Sequence, residues 1–379
     1  MINVFFINKY KLCKYIYICD IMKNWIKALI ITCLAVPTMQ VLVLNPFEQA
    51  ADFSMSDFFI RTSNKVHPSI VLNQVAIVSV DDLSRLEIAQ VVEKVDYCGA
   101  KVVALDVFMN WNTDDDNEVV RSLSSCENLI LPSSLTDNVL SPVFQKVNGA
   151  VYGYTNLECN WPGAQIRTFS AGDNDMLSFA AAACDYKNPD LSGIIRYDCR
   201  DIEIIYPQEV SFETVQGKIV FVGNINDFSD CHPTPVGVLP GVMIHAYIAR
   251  TLLENCTPKP LSKPICIILS FVLIYLLTLM HSYNNDIDSD FANFIMRLVQ
   301  LLVSIALYFV GAILFIRFNC YADISLVLLY IAAMLLVFDV IYGFISIYIL
   351  IKKKIRNKTN NIQDEKDTTA HIDDHSATY

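Results

Sequence analysis

Long apolar runs lie at both ends of the 379-residue chain, and a stretch of mixed polarity separates them. Four runs are near or above the roughly 17–25 residues that a membrane-spanning helix requires. They cover about 25–44, 264–280, 294–316 and 324–351. The pattern predicts one transmembrane helix within 22–44, a globular domain over 45–263, and three transmembrane helices within 264–351. A cleaved signal peptide is the alternative for the first run, although its length and the Pro46 that follows it argue against cleavage.

Within 45–263 the pattern changes to short apolar runs that alternate with segments of helical spacing. Strand-like runs occupy 75–81 and 102–107, and residues 83–97 between them form one apolar stripe at helical intervals. A helix over 114–125 and a strand at 129–131 continue the series. This alternation predicts an extracytoplasmic α/β domain with a mostly parallel sheet flanked by helices, in addition to the transmembrane α-helices.

The second half of the domain is less regular. Strands are predicted at 150–154, 165–169, 202–206 and 218–223, and helices at 176–184 and 240–253. The run at 218–223 reads as a buried strand that ends in glycine, and a polar loop separates it from the last helix.

Basic residues indicate the orientation in the membrane. Lys23 and Lys27 precede the first predicted span, and five basic residues lie between 352 and 358 after the last one. Both termini therefore read as cytoplasmic, which places 45–263 outside the cytoplasmic membrane. Residues 1–21 precede Met22 and are interpreted as a mis-assigned leader. Residues 352–379 are predicted to form a basic and then disordered cytoplasmic tail.

The charge of the domain limits its partners. Residues 45–263 contain 28 acidic and 15 basic side chains, and the whole chain has a net charge of −11. Such a domain does not hold nucleic-acid phosphates by charge, so no nucleic-acid partner is expected. It could attract cations or basic partners, whereas a solvated acidic surface is the plainer interpretation. Seven cysteines in this stretch give no pairing by spacing.

Polar residues follow two groups of predicted strand ends. Asp227, Asp230 and His232 share the loop after 218–223, and His245 lies in the next helix. Loops at the carboxyl ends of parallel strands commonly bind ligands in open α/β sheets, so these four are ligand-binding candidates. Asp230, His232 and His245 are weak candidates for a divalent metal. The alternative is that they only fix the loop, and no metal or other cofactor is expected.

A second group lies at the ends of the first two strands. Asp81, Asp82 and Asp106 could bind a ligand or act as acid and base, and strand-end capping is the alternative. The chain has no P-loop, no Gly-x-Ser-x-Gly and no Gly-x-Gly-x-x-Gly motif, so no enzymatic activity is predicted. Within the predicted membrane helices, Arg297 and Asp339 are hypothesised to form a polar pair, because an ionisable group there requires a partner.

The segment 217–253 reads GKIVFVG, then a polar loop, then PGVMIHAYIARTLL. It resembles the second type of CHASE domain, an extracellular sensory module of bacterial membrane proteins. The resemblance is carried by Gly217, Lys218, Thr234, Pro235, Val236, Pro240, Gly241, Val242, His245, Ala246, Leu252 and Leu253. Weaker similarity extends to 57–61, 78–82, 99–108, and to Arg167 with 178–180, so that it covers roughly 45–350. The resemblance adds Arg167 to the ligand-binding candidates.

The resemblance implies a signal-input module whose output is elsewhere. Members of the family often continue into a cyclase or kinase domain, whereas only a short segment follows the last predicted helix here. The Trp-Pro-rich turn that the family commonly has before its first domain helix is missing or eroded at 82–88. We expect a small ligand or an envelope protein to bind outside the membrane and a separate effector to bind inside. A homodimer is compatible with this role. A structural or assembly role in the envelope is the alternative, and a metal-dependent hydrolase is a third hypothesis.

Overall fold

The computed structural model describes the globular part and parts of the apolar segments. The described residues are 24–26, 28–37, 52, 54–66, 74–135, 141–159, 163–173, 176–198, 201–285, 290–325 and 327–332. They fall into two compact units. The sheet unit lies within 40–269 and 305–325, and the helical unit lies within 1–39, 270–304 and 326–379.

A six-stranded parallel sheet forms the centre of the sheet unit. Its strands are β1 (Val75–Ser79), β2 (Val102–Asp106), β3 (Leu129–Ser133), β4 (Val151–Tyr154), β9 (Glu203–Ile205) and β10 (Ile219–Gly223). They are arranged in the order β4-β3-β2-β10-β1-β9, and every neighbouring pair is parallel. The strand that comes last in sequence therefore lies between the first two.

Helices cover both faces of this sheet. On one face, α2 (Arg85–Tyr97) and α3 (Asp116–Ser124) share a core with side chains such as Val78, Leu105 and Val222. On the other face, α4 (Phe179–Ala183) and α6 (Gly241–Leu253) pack together, and Phe179 meets Phe221 of β10 edge to face at 5.9 Å. Strands β1, β3 and β10 are buried along their whole length, and coverage of both faces explains why they are mostly apolar.

Smaller elements complete the sheet unit. Antiparallel pairs are formed by β5 (Thr168–Ser170) with β8 (Ser192–Ile194), by β6 (Gly172–Asp173) with β7 (Met176–Leu177), and by β11 (Cys231–Thr234) with β12 (Gly237–Pro240). A parallel pair joins β13 (Lys259–Pro260) to β14 (Cys320–Tyr321). The remaining helices are α1 (Met55–Val66), α5 (Phe212–Val215), and the 3-10 turns Phe144–Lys146, Pro207–Glu209 and Phe228–Asp230.

Local signals in the sequence set the ends of the helices. Helix α2 begins at a capping box, in which the Ser84 side chain accepts from the Glu87 backbone and the Glu87 carboxylate accepts from the Ser84 backbone. It ends before Gly99, whose φ of 81° is a left-handed conformation that favours glycine. The predicted end of this helix is thus confirmed.

The predicted parallel α/β fold is confirmed, and two local predictions are corrected. The strand predicted at 165–169 is found at Thr168–Ser170, and it pairs with β8 outside the main sheet. The helix predicted at 176–184 is shorter at its start, since Ser178 is an extended N-cap that accepts from the Ala181 N–H. Helix α1 and the β11–β12 hairpin were not predicted.

Among the described residues, two helices are long and apolar enough to cross a membrane. They are α7 (Lys263–Asn285) and α8 (Asp290–Phe318), whose apolar parts are Lys263–Tyr283 and Phe294–Phe318. These fall on the predicted spans 264–280 and 294–316. Asn24–Pro37 is a shorter apolar helix, and only the beginning of the predicted span 324–351 is described. In the helical unit the hydroxyls of Thr278 and Tyr330 are hydrogen-bonded at 2.6 Å.

The proposed intramembrane pair involves one described residue. Arg297 lies in α8, whereas Asp339 lies outside the described residues. The pairing therefore stays a prediction.

Replacement of Gly153 by alanine is expected to loosen α4 from the sheet. A Cβ at Gly153 would lie 2.6 Å from the Cα of Phe179, and a backbone atom cannot rotate away. We expect the variant to lose about 1–3 kcal/mol of stability in chemical denaturation of the full chain in detergent. Val151→Ala on the same strand is the control, because Val151 is largely exposed. Equal stability of both variants would contradict this packing.

Candidate functional site

Three central strands end together at one edge of the sheet. Ser79 of β1 pairs with Gly223 of β10, and Gly223 pairs with Asp106 of β2. The residues that follow these strands are therefore neighbours, although they are far apart in sequence. Asp81, Asp82, Asp106 and the loop from Asn224 onward all lie at this edge.

Asp81 and Asp82 shape the loops at this edge. The Asp81 carboxylate accepts from the backbone N–H groups of Ile225 and Asn226 at 3.0 and 3.1 Å, and from the Asn226 side chain at 3.0 Å. It also accepts from the Ser79 hydroxyl. Asp82 has a φ of 63° in the turn that leads to α2. Asp81 thus ties the end of β10 to the end of β1, which favours a structural role.

Asp227 is likewise occupied by its own loop. Its carboxylate accepts from the hydroxyl of Ser229 at 2.6 Å and from its backbone N–H at 2.8 Å, and these bonds lower the pKa of Asp227. This is the N-cap of the 3-10 turn Phe228–Asp230. Asp227 therefore fixes the loop that carries Asp230.

Asp230 lies over the first turn of α6. A Cβ at Gly241 would overlap the carboxylate oxygens of Asp230, so only glycine permits this approach. The carboxylate is thereby placed at a helix N-terminus, where negative charge is stabilised. Its other neighbour is His232 of β11, whose Nε2 lies 3.3 Å from the Asp230 Oδ1. The Asp230 side chain is 52% exposed and that of His232 is 35% exposed, so the site opens to the surface here.

His245 forms the buried wall of the site. It lies in α6, is 4% exposed, and meets the Phe179 ring edge to face at 5.3 Å. Its Nδ1 is buried and has no hydrogen-bond partner among the described residues, whereas the ring does bond the backbone of Thr155. Burial lowers the pKa of His245 to about 4, against the opposing effect of the nearby Asp230 charge. The imidazole is consequently neutral at physiological pH.

Asp106 completes the group at the end of β2. Burial, and then the negative charge of Asp230, raise the pKa of Asp106 to about 7. Its carboxyl group therefore changes between its protonated and ionised forms near neutral pH. We name Asp106, Asp230, His232 and His245 the edge cluster. Of the seven ligand-binding candidates at this edge, four thus form the edge cluster.

Arg167 lies elsewhere and binds α1. It donates to both carboxylate oxygens of Asp57, at 2.9 and 2.8 Å, and to the carboxylate of Asp52. The side chains of Arg167 and Asp57 are 12% and 9% exposed. Such a bidentate pair fixes orientation, which favours a structural role for Arg167. Both residues belong to segments that carry the family resemblance. That shared membership is the one feature of the sequence from which their pairing could have been predicted.

A second buried polar group escaped sequence reasoning. Arg196 donates to both carboxylate oxygens of Asp198, at 2.6 and 2.7 Å. Arg250 of α6 is 2% exposed and donates to the backbone carbonyls of Arg196 and Asp198. Each residue looked like an ordinary surface charge in the sequence, because the contacts that bury them come from segments about fifty residues apart.

The described residues offer little for a metal ion. Among them, no group of three or more His, Cys, Asp and Glu side chains has the arrangement of a metal site. The cysteines that the structure describes are free, and burial raises the pKa of Cys126 and Cys184 to about 12. These two thiols are therefore unreactive.

Asp106→Asn should change how stability depends on pH. A carboxyl group with a folded pKa of about 7 and an ordinary value of 3.8 is protonated more readily in the folded state, so its contribution to stability falls as pH rises from about 4 to 7. The variant lacks this loss. We expect it to gain about 2 kcal/mol relative to the original chain between pH 5 and pH 8, discounted for partial exposure.

Denaturation of both chains at a series of pH values measures this gain. His245 acts in the opposite direction in either chain, since its lowered pKa costs stability as pH falls from about 6.5 to 4. Asp227→Asn is the control, because the pKa of Asp227 is lowered and its carboxylate stays ionised throughout this pH range. A pH-independent difference between Asp106→Asn and the original chain would show that Asp106 is already ionised.

Arg167→Gln should be strongly destabilising. It leaves the largely buried Asp57 carboxylate without its cation, which typically costs about 3–5 kcal/mol. Lys187→Gln is the matched control, since the Lys187–Asp185 pair is about four-fifths exposed and contributes less than about 1 kcal/mol. Unfolding of both variants in denaturant measures the difference. Comparable stabilities would refute a structural role for the Arg167–Asp57 pair.

Comparison with known proteins supports the resemblance seen in 217–253. The sequence matches the CHASE2 domain over residues 30–280, which is roughly two thirds of the chain. No curated protein and no solved structure matches it. The matched region contains the complete parallel sheet, the edge cluster, and most of α7. A match of this extent shows that the chain belongs to the CHASE2 domain family.

Proposed function

We propose that the chain is a membrane-bound sensor module, which receives a signal at the edge cluster and passes it through its membrane helices to a separate partner. The support is its membership of a family of sensory domains and its two apolar helices. The observation that carries the proposal is a connected set of contacts from the edge cluster to α8. The partner, and the position of the sheet unit outside the membrane, are parts of this proposal.

The first step runs through the β11–β12 hairpin. The hairpin carries His232, follows Asp230 directly, and continues into α6 with His245. At its turn, the backbone carbonyl of Pro235 accepts a hydrogen bond from the Arg61 Nε of α1 at 2.8 Å. The carbonyl of Pro233 accepts from the Ile166 N–H at 2.8 Å. A displacement of the hairpin would therefore also displace Arg61 and α1.

The second step is the packing of α1 against the last turns of α8. Phe59 is fully buried, and its ring centre lies 5.7 Å from that of Phe315 and 6.1 Å from that of Tyr308. Gly311 lies against the Phe59 ring, since a Cβ there would be 2.6 Å from the ring tip. The Thr62 hydroxyl is also hydrogen-bonded to the Tyr308 hydroxyl. Helix α1 and this part of α8 thus form one packed pair.

The end of α8 is fixed by a further set of contacts. The Arg196 guanidinium lies over the Phe315 ring at 4.9 Å, and it donates to the Asn319 side chain at 3.0 Å. Asn319 ends the helix with a φ of 49°, and its side chain donates to the carbonyl of Thr257. The β13–β14 pair then joins this turn to the segment that leads into α7.

These contacts make a ligand-dependent shift physically reasonable. A signal that favours one position of the hairpin would favour the corresponding arrangement of α1 and α8, provided that it binds the two arrangements with different affinity. The basic segment 352–358, proposed to meet the cytoplasmic partner, lies outside the described residues. Mutations along this route should therefore change the response of α8.

The coupling can be tested by a fluorine label at the end of α8. Phe318 is 70% exposed and can be replaced by trifluoromethyl-phenylalanine in the full chain in nanodiscs. We expect Asp230→Asn to shift the fluorine resonance at 318, and Arg61→Gln to reduce that shift at least twofold, because it removes the bond from α1 to the hairpin turn.

Lys65→Gln is the matched control for Arg61→Gln. It removes the same charge from the same helix at an exposed position and should leave the response intact. A response that persists unchanged in Arg61→Gln, or no response in any variant, would argue against this route. The chain would then be better described by the docking role in envelope assembly.

A further inference from the structure

The edge cluster has an excess of hydrogen-bond acceptors and negative charge. Among the described residues, neither Asp106 nor Asp230 has a Lys or Arg partner within ion-pair distance, and the one ion-pair neighbour of Asp230 is His232. Elsewhere in the sheet unit, largely buried carboxylates such as Asp57 and Asp198 are paired with arginine. Among the described residues, no Lys or Arg therefore balances the carboxylates of the edge cluster.

His245 supplies an independent sign of a missing donor. One ring nitrogen bonds the backbone of Thr155, and the buried Nδ1 bonds no described residue. Because the imidazole is neutral, its Nδ1 is then an acceptor. A buried acceptor without a donor is energetically costly, so this nitrogen is expected to meet a donor that the described residues do not provide. The side-chain oxygen of Asn224, directly after β10, is buried and unpartnered as well.

We propose that the edge cluster binds the ammonium group of a small primary amine. An ammonium group has three N–H donors and one positive charge. The His245 Nδ1 would accept one donor, and the carboxylates of Asp106 and Asp230 would accept the others and balance the charge. This proposal rests on the proposed function and names the class of its signal.

The arrangement of the four residues favours a ligand whose ammonium group enters first. Asp230 and His232 are substantially exposed, whereas Asp106 is partly buried and His245 is almost completely buried. A small cation would meet the surface carboxylate first and then reach the buried acceptors. The acidic surface of 45–263 would raise its local concentration.

Other ligand classes fit the cluster less well. Two carboxylates repel an anion, and a neutral alcohol would leave their mutual repulsion uncompensated. A divalent metal would use the same charges. However, no described group of three ligating side chains has the arrangement that a metal requires.

The binding should be stronger at alkaline pH. An ammonium ion interacts best with an ionised Asp106, whose pKa is raised to about 7 by burial and by Asp230. His245, His232 and Asp230 also face the site, and the lowered pKa of His245 keeps its imidazole neutral over this range, so that it does not oppose the cation. We expect affinity to rise between pH 6 and pH 8, with proton release near pH 6.

Titration calorimetry on the full chain in zwitterionic nanodiscs tests the proposal. The probes are putrescine and ethylamine, each compared with its neutral counterpart, 1,4-butanediol or ethanol, together with Mg²⁺ and Zn²⁺. We expect saturable binding of an amine at one site and none of the alcohols. At pH 8, Asp106→Asn and Asp230→Asn should each weaken binding about tenfold or more, as expected for the loss of a charge-assisted hydrogen bond.

Asp227→Asn is the matched control. It removes the same charge from the same loop, and asparagine can still cap the turn, so amine affinity should change less than twofold. Thermal unfolding of each variant verifies that it is folded. No amine binding above that of the alcohols, equal weakening by Asp227→Asn, or binding of a metal ion in place of the amine would each overturn the proposal.

The two proposals fail in distinguishable ways. A fluorine response at 318 that depends on Arg61, without any amine binding, would retain the sensor and reject the ammonium signal. Amine binding that requires Asp106 and Asp230, without any change at 318, would retain the site and reject the proposed route of signalling.

Discussion

The insertion of β10 between β1 and β2 is the constraint on which the rest of this structure depends. Parallel pairing in this order makes all three strands end at one edge, so that residues around 80, 106 and 224 become neighbours. It also requires that α6, which follows β10, returns across the sheet. A strand drawn from the last third of the domain thereby determines where the functional candidates meet.

Close packing of side chains at this edge depends on two glycines. Gly223 allows the Val242 side chain of α6 to lie against the end of β10, and Gly241 allows the Asp230 carboxylate to lie over the first turn of α6. The same turn therefore anchors the helix to the sheet and holds a negative charge near Asp106. Packing and electrostatics are linked here, because moving α6 would change both at once.

The polar residues of the sheet unit divide into two kinds. Asp81, Asp227 and the Arg167–Asp57 pair have protein partners for their acceptors or donors, and each fixes a loop or a helix. Asp106 and His245 share a different property, since burial shifts their pKa values and the described residues supply neither a cation for Asp106 nor a donor for the Nδ1 of His245. Perturbed pKa values of this kind mark candidates for a functional site.

The sequence by itself determined the parallel α/β fold, the apolar helices after it, and the family, because hydrophobic periodicity and the spacing within 217–253 are local properties. It also indicated Asp106, Asp230, His232 and His245 as candidates, since each follows or faces a predicted strand end. It could not separate them from Asp81 and Asp227, which required knowing their hydrogen-bond partners. The β11–β12 hairpin, the packing of Phe59 on α8, and the burial of Arg250 arise from contacts between distant segments. Only the tertiary structure decided these features, because the charge state and the partners of a polar group depend on the segment that covers it.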